Sequence, residues 1–264
     1  HSEEAGQGAA PRLTAAPSVP DFDFHGELRD FLPAALRDRP LAVAVAPHET
    51  AKHVIEALGV PHTEIGAIHI DGHPASLDSL LPPAERIDVY PHAPPTAGAG
   101  ASAPRFIADA HLGRLARHLR FAGLDTLWEN DWGDAALAAR AEQEARIVLT
   151  RDRALLMRAN IGRGCHIRSG EPLSQLAQVA RRYGLCLADG QASRCLECNA
   201  QPEPVPKLQV ASELPPRTAA AFDAFWRCPG CLRLYWRGSH WQRMHAALVA
   251  VDRTLGPNSV PSAG

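Results

Sequence analysis

The stretch "FIADAHLGRLARHL", residues 106–119, joins the end of an apolar strand pattern to the start of a helical one. Three apolar residues precede Asp109, and beyond it leucines recur at helical spacing with arginines on another face. A carboxylate is unfavourable inside a core, so its place directly after a buried strand needs a reason. The pattern indicates a strand whose carboxyl end faces a functional crevice.

Strand and helix patterns alternate along the chain from residue 105 to about residue 188. The strand patterns are "RFIAD", "LDTLWEN", "RIVLTRD" and "CHIRSG", and a helical pattern follows each of them. Alternating elements of this length predict an α/β fold, with a parallel sheet covered by helices on both faces. Ligands of such sheets bind beyond the carboxyl ends of the strands.

Three aspartates occupy positions around that predicted crevice. Asp109 follows the first strand, Asp152 ends "RIVLTRD", and Asp134 lies near the start of the helix between them. We expect the three carboxylates to converge and, because like charges in close proximity raise one another's pKa, to bind a divalent cation. Mg²⁺ or Mn²⁺ prefers such oxygen ligands and keeps water molecules available for attack on a phosphodiester. The aspartates are therefore predicted to be both metal-binding and catalytic.

Each aspartate also has a purely structural interpretation. Asp109 and Asp134 could each cap the helix that follows, with Asp131 as another candidate cap. Asp152 could pair with a neighbouring arginine. We favour the metal site because two strand ends and one helix start within a single α/β unit carry the three carboxylates.

Four of the six cysteines form two C-x-x-C pairs, which is the most specific motif in the sequence. The pairs are Cys195 with Cys198 and Cys228 with Cys231. Two tight turns that each present two thiolates predict tetrahedral Zn²⁺, and four sulfur ligands leave no open position, so this zinc would be structural. Disulfides are the alternative. Cys165 and Cys186 lie in apolar surroundings and are predicted to be core residues.

Residues 19–93 show a different pattern, with two strands, a helix and further strands. The helix is "ETAKHVIEALG", and "EIGAIHIDGHPA" contains a "DG" turn between strands. This order predicts an α+β β-grasp domain, and the segment resembles the ubiquitin-like family that includes small sulfur carriers. Those carriers use a free C-terminal Gly-Gly, whereas this chain continues, so a binding or spacer module is predicted instead.

Composition suggests where the remaining boundaries fall. Residues 94–104 form a Pro/Gly/Ala/Ser linker between the β-grasp domain and the α/β domain predicted at 105–188. Residues 189–251 carry the cysteine pairs and are predicted to form a zinc ribbon. Residues 1–18 and 252–264 are predicted to be tails.

Composition and charge suit a globular protein with a polyanionic partner. Hydrophobic residues make up 45% and charged residues 21% of the 264 residues. Residues 1–104 carry a net charge of −8 and residues 105–264 one of +6, which favours a polyanion at the second part. The alternative is that the charge difference reflects only a drift in amino-acid composition along the chain. With no export signal and no apolar run of the ~18 residues that a membrane helix needs, a reducing cytoplasm is expected.

Several basic residues are candidates for binding a nucleic-acid backbone. They are Arg114, Arg117, Arg151, Arg153, Arg237 and His240. An ordinary solvated helix face is the alternative for the first four. The last two lie in "LYWRGSHWQRM", whose aromatic residues could either stack on unpaired bases or close the core of the ribbon.

These motifs together resemble the PIN-like ribonuclease domain with a zinc ribbon known from the Mut-seven C-terminal family. The resemblance rests on "FIADAHLGRLARHLRFAG", "DAALAARAEQEARIVLTRDRALL", "SRCLECN" and "CPGCLRLYWRGSHWQRM", and it covers residues 105 to about 248. It implies that Asp109, Asp134 and Asp152 are the acids of a nuclease acting on RNA. The family is also known with an N-terminal ubiquitin-like domain.

One departure from that resemblance concerns the number of acids. PIN nucleases generally hold a fourth acid near the end of the next strand, where this chain has Ser169 and Gly170. The leading hypothesis is a Mg²⁺- or Mn²⁺-dependent ribonuclease, with structured RNA such as tRNA or rRNA among its substrates. The alternatives are a non-catalytic RNA- or ribosome-binding adaptor, and a module whose ubiquitin-like domain recruits a protein.

Overall fold

The computed structural model describes residues 18–93, 103–188 and 193–256. Nearly all of the predicted linker, all but the last residue of the N-terminal tail, and the chain beyond residue 256 lie outside the described residues. The chain divides into two compact units. Among the described residues, the first unit comprises 18–60 and 67–91, and the second comprises 61–66, 92–93, 103–188 and 193–256.

The N-terminal sheet has five strands in the order β2-β1-β5-β3-β4. The strands are β1 (Asp21–Phe24), β2 (Leu41–Ala42), β3 (Ile65–Ile70), β4 (His73–Ala75) and β5 (Arg86–Pro91). β1 runs parallel to β5, and helix α1 (Ala51–Ala57) begins after Thr50, whose hydroxyl accepts a hydrogen bond from the backbone of His53. This arrangement confirms the ubiquitin-like prediction.

Local details of this domain differ from the sequence patterns. The first strand is short, Asp21–Phe24, because Gly26 adopts a φ of +53° and starts a 3-10 helix over Gly26–Phe31. The second strand is two residues long. The "DG" turn is as predicted, since Asp71 and Gly72 both have positive φ, as a tight hairpin connection requires.

The second unit is built on a four-stranded parallel sheet in the order β7-β6-β8-β9. Its strands are β6 (Phe106–Ala108), β7 (Thr126–Leu127), β8 (Ile147–Thr150) and β9 (Gly164–His166). The helices that follow them are α2 (Gly113–Phe121), α3 (Asp134–Gln143), α4 (Arg153–Leu156) and α5 (Pro172–Tyr183). The predicted α/β class is confirmed.

Alternation along the central strands divides the core into two layers. Phe106 and Leu149 face the layer that contains α2 and α5, whereas Ile107 and Val148 face the layer that contains α3 and α4. All four side chains are fully buried. Each such burial stabilises the fold by about 1.5–3 kcal/mol, so the strand that ends at Asp109 is firmly held.

The segment that carries the cysteines forms a three-stranded antiparallel sheet, followed by a long helix. The elements are β10 (Glu203–Val205), α6 (Lys207–Val210), α7 (Pro216–Ala221), β11 (Phe225–Arg227), β12 (Leu234–Tyr235) and α8 (Ser239–Leu255). Helix α8 reaches into the segment predicted to be a tail, and its Leu248 and Val251 join the core layer of α2 and α5.

The second unit also contains a buried ion pair that the sequence did not suggest. Glu64 is fully buried, and its carboxylate accepts hydrogen bonds from Arg182 and from the backbone N–H of His166, each at 2.6 Å. A buried charge without such partners would be strongly destabilising. Arg182 and His166 thus hold residue 64 within the second unit.

Candidate active site and metal centre

Asp109 and Thr150 meet at the carboxyl edge of the parallel sheet. The Thr150 hydroxyl, at the end of β8, donates a hydrogen bond to Asp109 Oδ2 at 2.8 Å. The Asp109 side chain makes no capping hydrogen bond to the helical turn that follows it. The capping interpretation of Asp109 is therefore not what the structure shows, and its half-buried carboxylate is held by the neighbouring strand.

Asp152 is joined to the same hydroxyl from the other side. Its backbone N–H donates to Thr150 Oγ1 at 2.9 Å, and its Oδ1 accepts from the N–H of Ala154 at 2.8 Å. Asp152 is thus the N-cap of α4. Its structural role is helix capping, which differs from the pairing with a neighbouring arginine considered from the sequence. The Thr150 hydroxyl fixes Asp109 and Asp152 at one edge of the sheet.

Asp134 is placed differently. It is the first residue of α3, it is exposed, and its side chain has no hydrogen bond or ion pair within the described residues. Over the same part of the chain, Asp109, Asp134 and Asp152 do not form a group whose oxygen atoms all lie within 4.8 Å of one another. The expected convergence of three carboxylates onto one point is therefore not seen in these side-chain positions.

An acidic residue, Glu171, directly follows Ser169 and Gly170, which occupy the position where PIN nucleases generally hold a fourth acid. Ser169 Oγ accepts a hydrogen bond from the backbone of Glu171 at 3.0 Å, and Glu171 precedes α5. Its exposed side chain lines a cleft together with Ala110, the residue after Asp109. The resemblance does not point to Glu171, because this carboxylate lies one residue beyond Ser169 and Gly170.

The candidate phosphate-binding arginines differ in what they contact. Arg117 forms an ion pair with Glu197 at 2.8 Å, whereas the exposed guanidinium groups of Arg114 and Arg151 have no partner within the part of the chain described. Arg153 is also exposed. Arg114 and Arg151 are therefore the two that are free to bind a phosphate without losing a contact.

The four predicted cysteines come together in the second unit. Their sulfur atoms all lie within 4.8 Å of one another, with 3.4 Å between Cys195 and Cys231 and 3.3 Å between Cys198 and Cys228. None of them forms a disulfide. Four sulfurs around one point could hold a metal ion, and tetrahedral thiolate coordination is typical of zinc.

The environment of these thiols favours thiolate at one of them and opposes it at another. Burial alone would raise the pKa of Cys195, but hydrogen bonds from the Tyr235 hydroxyl and from backbone N–H groups lower it to about 6. Burial and the adjacent cysteines raise the pKa of Cys198 to about 12. Four thiols this close cannot all ionise without a cation, so the donor set fits a metal ion.

A buried arginine anchors the first cysteine pair to the parallel sheet. Arg120 is 2% exposed and donates to the carbonyl of Thr126 at 2.8 Å and to the carbonyls of Leu196 and Glu197, each at 2.9 Å. Burial lowers its pKa. The sequence does not distinguish Arg120 from Arg114 and Arg117 on the same helix, because the three arginines recur at the same spacing of three residues.

The aromatic residues of the C-terminal segment pack within the protein. The guanidinium group of Arg237 lies 5.6 Å from the ring of Trp226 and 5.2 Å from that of Trp241, and Trp241 also stacks on His245 at 4.8 Å. These contacts favour the core-forming interpretation over base stacking. Among the two polar candidates here, exposed His240 is the one without a partner in the described residues.

A second group in the first unit has the composition of a metal site. Ligand atoms of Asp23, His25 and Asp88 lie within 4.8 Å of one another. However, Arg86 donates to Asp23 at 2.9 Å and to Asp88 at 2.9–3.1 Å, and its hydrogen bonds lower the pKa of Asp88. Arg86 already forms ion pairs with both carboxylates, so the thiol cluster is the stronger metal-binding candidate.

Comparison with known protein families matches both parts of this description. Residues 104–248 match the Mut7-C RNAse domain, the span that holds the strand-end aspartates and the cysteine cluster. The chain belongs to this family. Residues 18–96 match the Mut7-C ubiquitin domain. No curated protein and no solved structure gives a significant match.

Membership of the Mut7-C RNAse family indicates a nuclease with an RNA-related function, and it confirms the resemblance drawn from the motifs. The Mut7-C ubiquitin match covers the N-terminal sheet. No helix within the described residues is long and apolar enough to cross a membrane.

Proposed function

We propose that the protein is a metal-dependent ribonuclease that hydrolyses RNA phosphodiester bonds at the edge formed by Asp109, Asp134 and Asp152. The observation that carries the proposal is the Thr150 hydroxyl, which contacts both the Asp109 carboxylate and the backbone N–H of Asp152 at the ends of β6 and β8. Ligands of parallel α/β sheets bind at this edge.

The carboxylate oxygens at this edge suit Mg²⁺ or Mn²⁺. Asp109 and Asp152 would hold the ion, and Asp134 would contact it through water or after a side-chain rotation, since the three side chains do not surround one point. Such an ion supplies an activated water and stabilises charge on the phosphate in the transition state. Glu171 is a further acid available on the same side.

The arginines would orient the substrate. Arg114 and Arg151 present guanidinium groups that have no partner within the described part of the chain, and they would bind phosphate oxygens bidentately and fix the position of the strand. Arg153 stands beside Asp152. The carboxylates would thus hold the metal ion, the arginines would hold the phosphate, and the fold would align the two.

The cysteine cluster is proposed to bind structural zinc. Four thiolates complete a tetrahedral shell and leave no position for substrate. Arg120 would hold the zinc site against the parallel sheet through its hydrogen bonds to the carbonyls of Leu196 and Glu197. A cluster of free thiols fits a reducing compartment, which we propose to be the cytoplasm.

A second candidate function is a non-catalytic RNA- or ribosome-binding adaptor. The observation in its favour is the spacing of the three aspartates, together with Ser169 and Gly170 at the position of the fourth acid. An adaptor would need only the basic surface. A recruiting role for the ubiquitin-like domain is compatible with either function.

Cleavage of a mixed panel of structured and single-stranded RNAs tests the proposal. The zinc-loaded protein would be incubated with Mg²⁺, with Mn²⁺ and without added divalent ion, alongside Asp152→Asn and the control Glu142→Gln, which removes an exposed carboxylate from α3. We expect cutting that requires the added ion, is lost in Asp152→Asn and is retained in Glu142→Gln. Binding of RNA without cutting, unchanged by Asp152→Asn, would support the adaptor.

A further inference from the structure

Two adjoining clefts lie next to the edge that carries Asp109. The first, of about 490 Å³, is bounded by the residues that follow Asp109, by α2, by the start of α5 and by the first cysteine pair. The second, of about 440 Å³, lies between α2, α5 and α8. Arg114, Glu171 and Pro172 line both clefts, so the two share a wall.

The first cleft contains an aromatic ring held in a fixed position. The indole of Trp128 donates its N–H to the carbonyl of Ala110 at 3.0 Å. The same ring packs against Gly113, where an added Cβ would lie only 2.7 Å from it. A fixed ring in a cleft offers a nucleobase a stacking surface that is already ordered, so binding costs little further side-chain entropy.

Unpaired cations follow along the second cleft. Arg114 stands at the shared wall, and α8 contributes His240 and Arg243; all three are exposed and have no side-chain partner within the described residues. The acids of the two clefts are Glu197, which is paired with Arg117, and Glu171 at the shared wall. Arg114 and Arg243 are therefore the groups that would bind phosphate.

We propose, on the basis of the proposed ribonuclease function, that these clefts bind an unpaired RNA segment that flanks the scissile phosphate. One base would stack on Trp128, and successive phosphates would contact Arg114 and Arg243. Only an unstacked base can reach an indole in a cleft, so a duplex cannot make this contact. A free nucleotide has the same chemistry, but it would leave the α8 side of the second cleft unused.

Fluorescence anisotropy tests this proposal with the full-length, zinc-loaded protein carrying Asp152→Asn, so that labelled RNA is not cut. The probes are a single-stranded 12-mer and the same sequence as a duplex, with AMP as competitor. Arg114→Ala and Arg243→Ala should each weaken single-strand binding about tenfold and each reduce the slope of log affinity against log salt by about one. Trp128→Leu should weaken it about tenfold and Trp128→Phe by less, because a stacking face remains.

The matched control is Arg217→Ala, which removes an exposed arginine of α7 that has no partner within the described residues. Equal binding of duplex and single strand, displacement by AMP at concentrations similar to those of the oligonucleotide, or arginine variants that bind like the control would each overturn the proposal. Cleavage by the wild-type protein is scored separately. Binding as proposed without any cleavage would retain the cleft and reject the nuclease, and cleavage with unaffected variants would do the reverse.

Discussion

The hydroxyl of Thr150 donates to Asp109 Oδ2 at 2.8 Å, and this contact links the ends of two parallel strands at the proposed catalytic edge. The same oxygen accepts the backbone N–H of Asp152 at 2.9 Å. One buried side chain with both a donor and an acceptor therefore sets the positions of two proposed metal-binding residues.

Thr150→Val keeps the volume of the side chain but removes this hydroxyl. Because the N–H of Asp152 and the carboxylate of Asp109 each lose a partner, we expect a loss of about 1–3 kcal/mol in the free energy of unfolding. RNA cleavage should fall at least tenfold through misplacement of the acids. Urea unfolding and single-turnover cleavage measure the two effects. Thr150→Ser is the control, and equal activity of the Val and Ser variants would show that the hydroxyl has no positioning role.

Arg120→Met should be among the most destabilising substitutions of a charged residue in this protein. It leaves the carbonyls of Thr126, Leu196 and Glu197 without their donor in a buried environment, and we expect a loss of about 3 kcal/mol or more. Arg117→Met on the same helix removes only an exposed ion pair, worth about 0–1 kcal/mol. Thermal or urea unfolding distinguishes them, and similar losses for both would contradict the anchoring role.

Tyr235→Phe tests whether the cysteine cluster is a metal site with a supporting hydrogen bond. The Tyr235 hydroxyl lies 3.0 Å from the Cys195 sulfur, and burial raises its pKa, so it remains protonated and donates. Loss of such a partner typically reduces metal affinity about 10–100-fold. Competition with a zinc chelator measures this change. Tyr90→Phe, in the ubiquitin-like domain, is the control, and unchanged zinc affinity in Tyr235→Phe would remove the supporting role.

Asp125 should contribute stability that depends on pH. Burial opposes its charged form, but hydrogen bonds from Arg146 and Asn199 more than compensate and lower its pKa. A carboxyl whose pKa is lower in the folded state stabilises above its unfolded pKa of about 3.9 and loses that contribution as the pH falls through the folded value. The free energies of unfolding of the wild-type protein and Asp125→Asn should therefore differ at pH 6 and converge towards pH 3. A difference that is constant over this range would contradict the prediction.

Features set by local sequence were predictable. The alternation of strand and helix, the positions of Asp109 and Asp152 at strand ends and the spacing of the cysteine pairs all follow from residues within a few positions of one another. The second strand of the sheet was predicted too long, since "LDTLWEN" pairs with β6 only over Thr126–Leu127.

Features set by contacts between distant segments were not predictable. In the sequence, Arg120 cannot be told apart from the other arginines of α2. Its role depends on the first cysteine pair, which lies 76 residues further along the chain and packs over it. The stacking of Arg237 between Trp226 and Trp241 likewise depends on how β11 and α8 meet. Composition alone indicates a uniform basic surface, whereas in the structure Arg120 donates to buried carbonyls and Arg237 lies over tryptophan rings.

Single-turnover cleavage of RNA by Asp109→Asn, over a titration of Mg²⁺, is the most direct test of metal-dependent catalysis at this edge of the sheet. The substitution keeps the size of the side chain and an acceptor for the Thr150 hydroxyl, but it removes the charge. We expect a cleavage rate at least a hundredfold below that of the wild-type protein, a higher Mg²⁺ requirement and unchanged RNA affinity. A wild-type rate in Asp109→Asn, or cleavage that proceeds equally without added metal, would contradict this expectation.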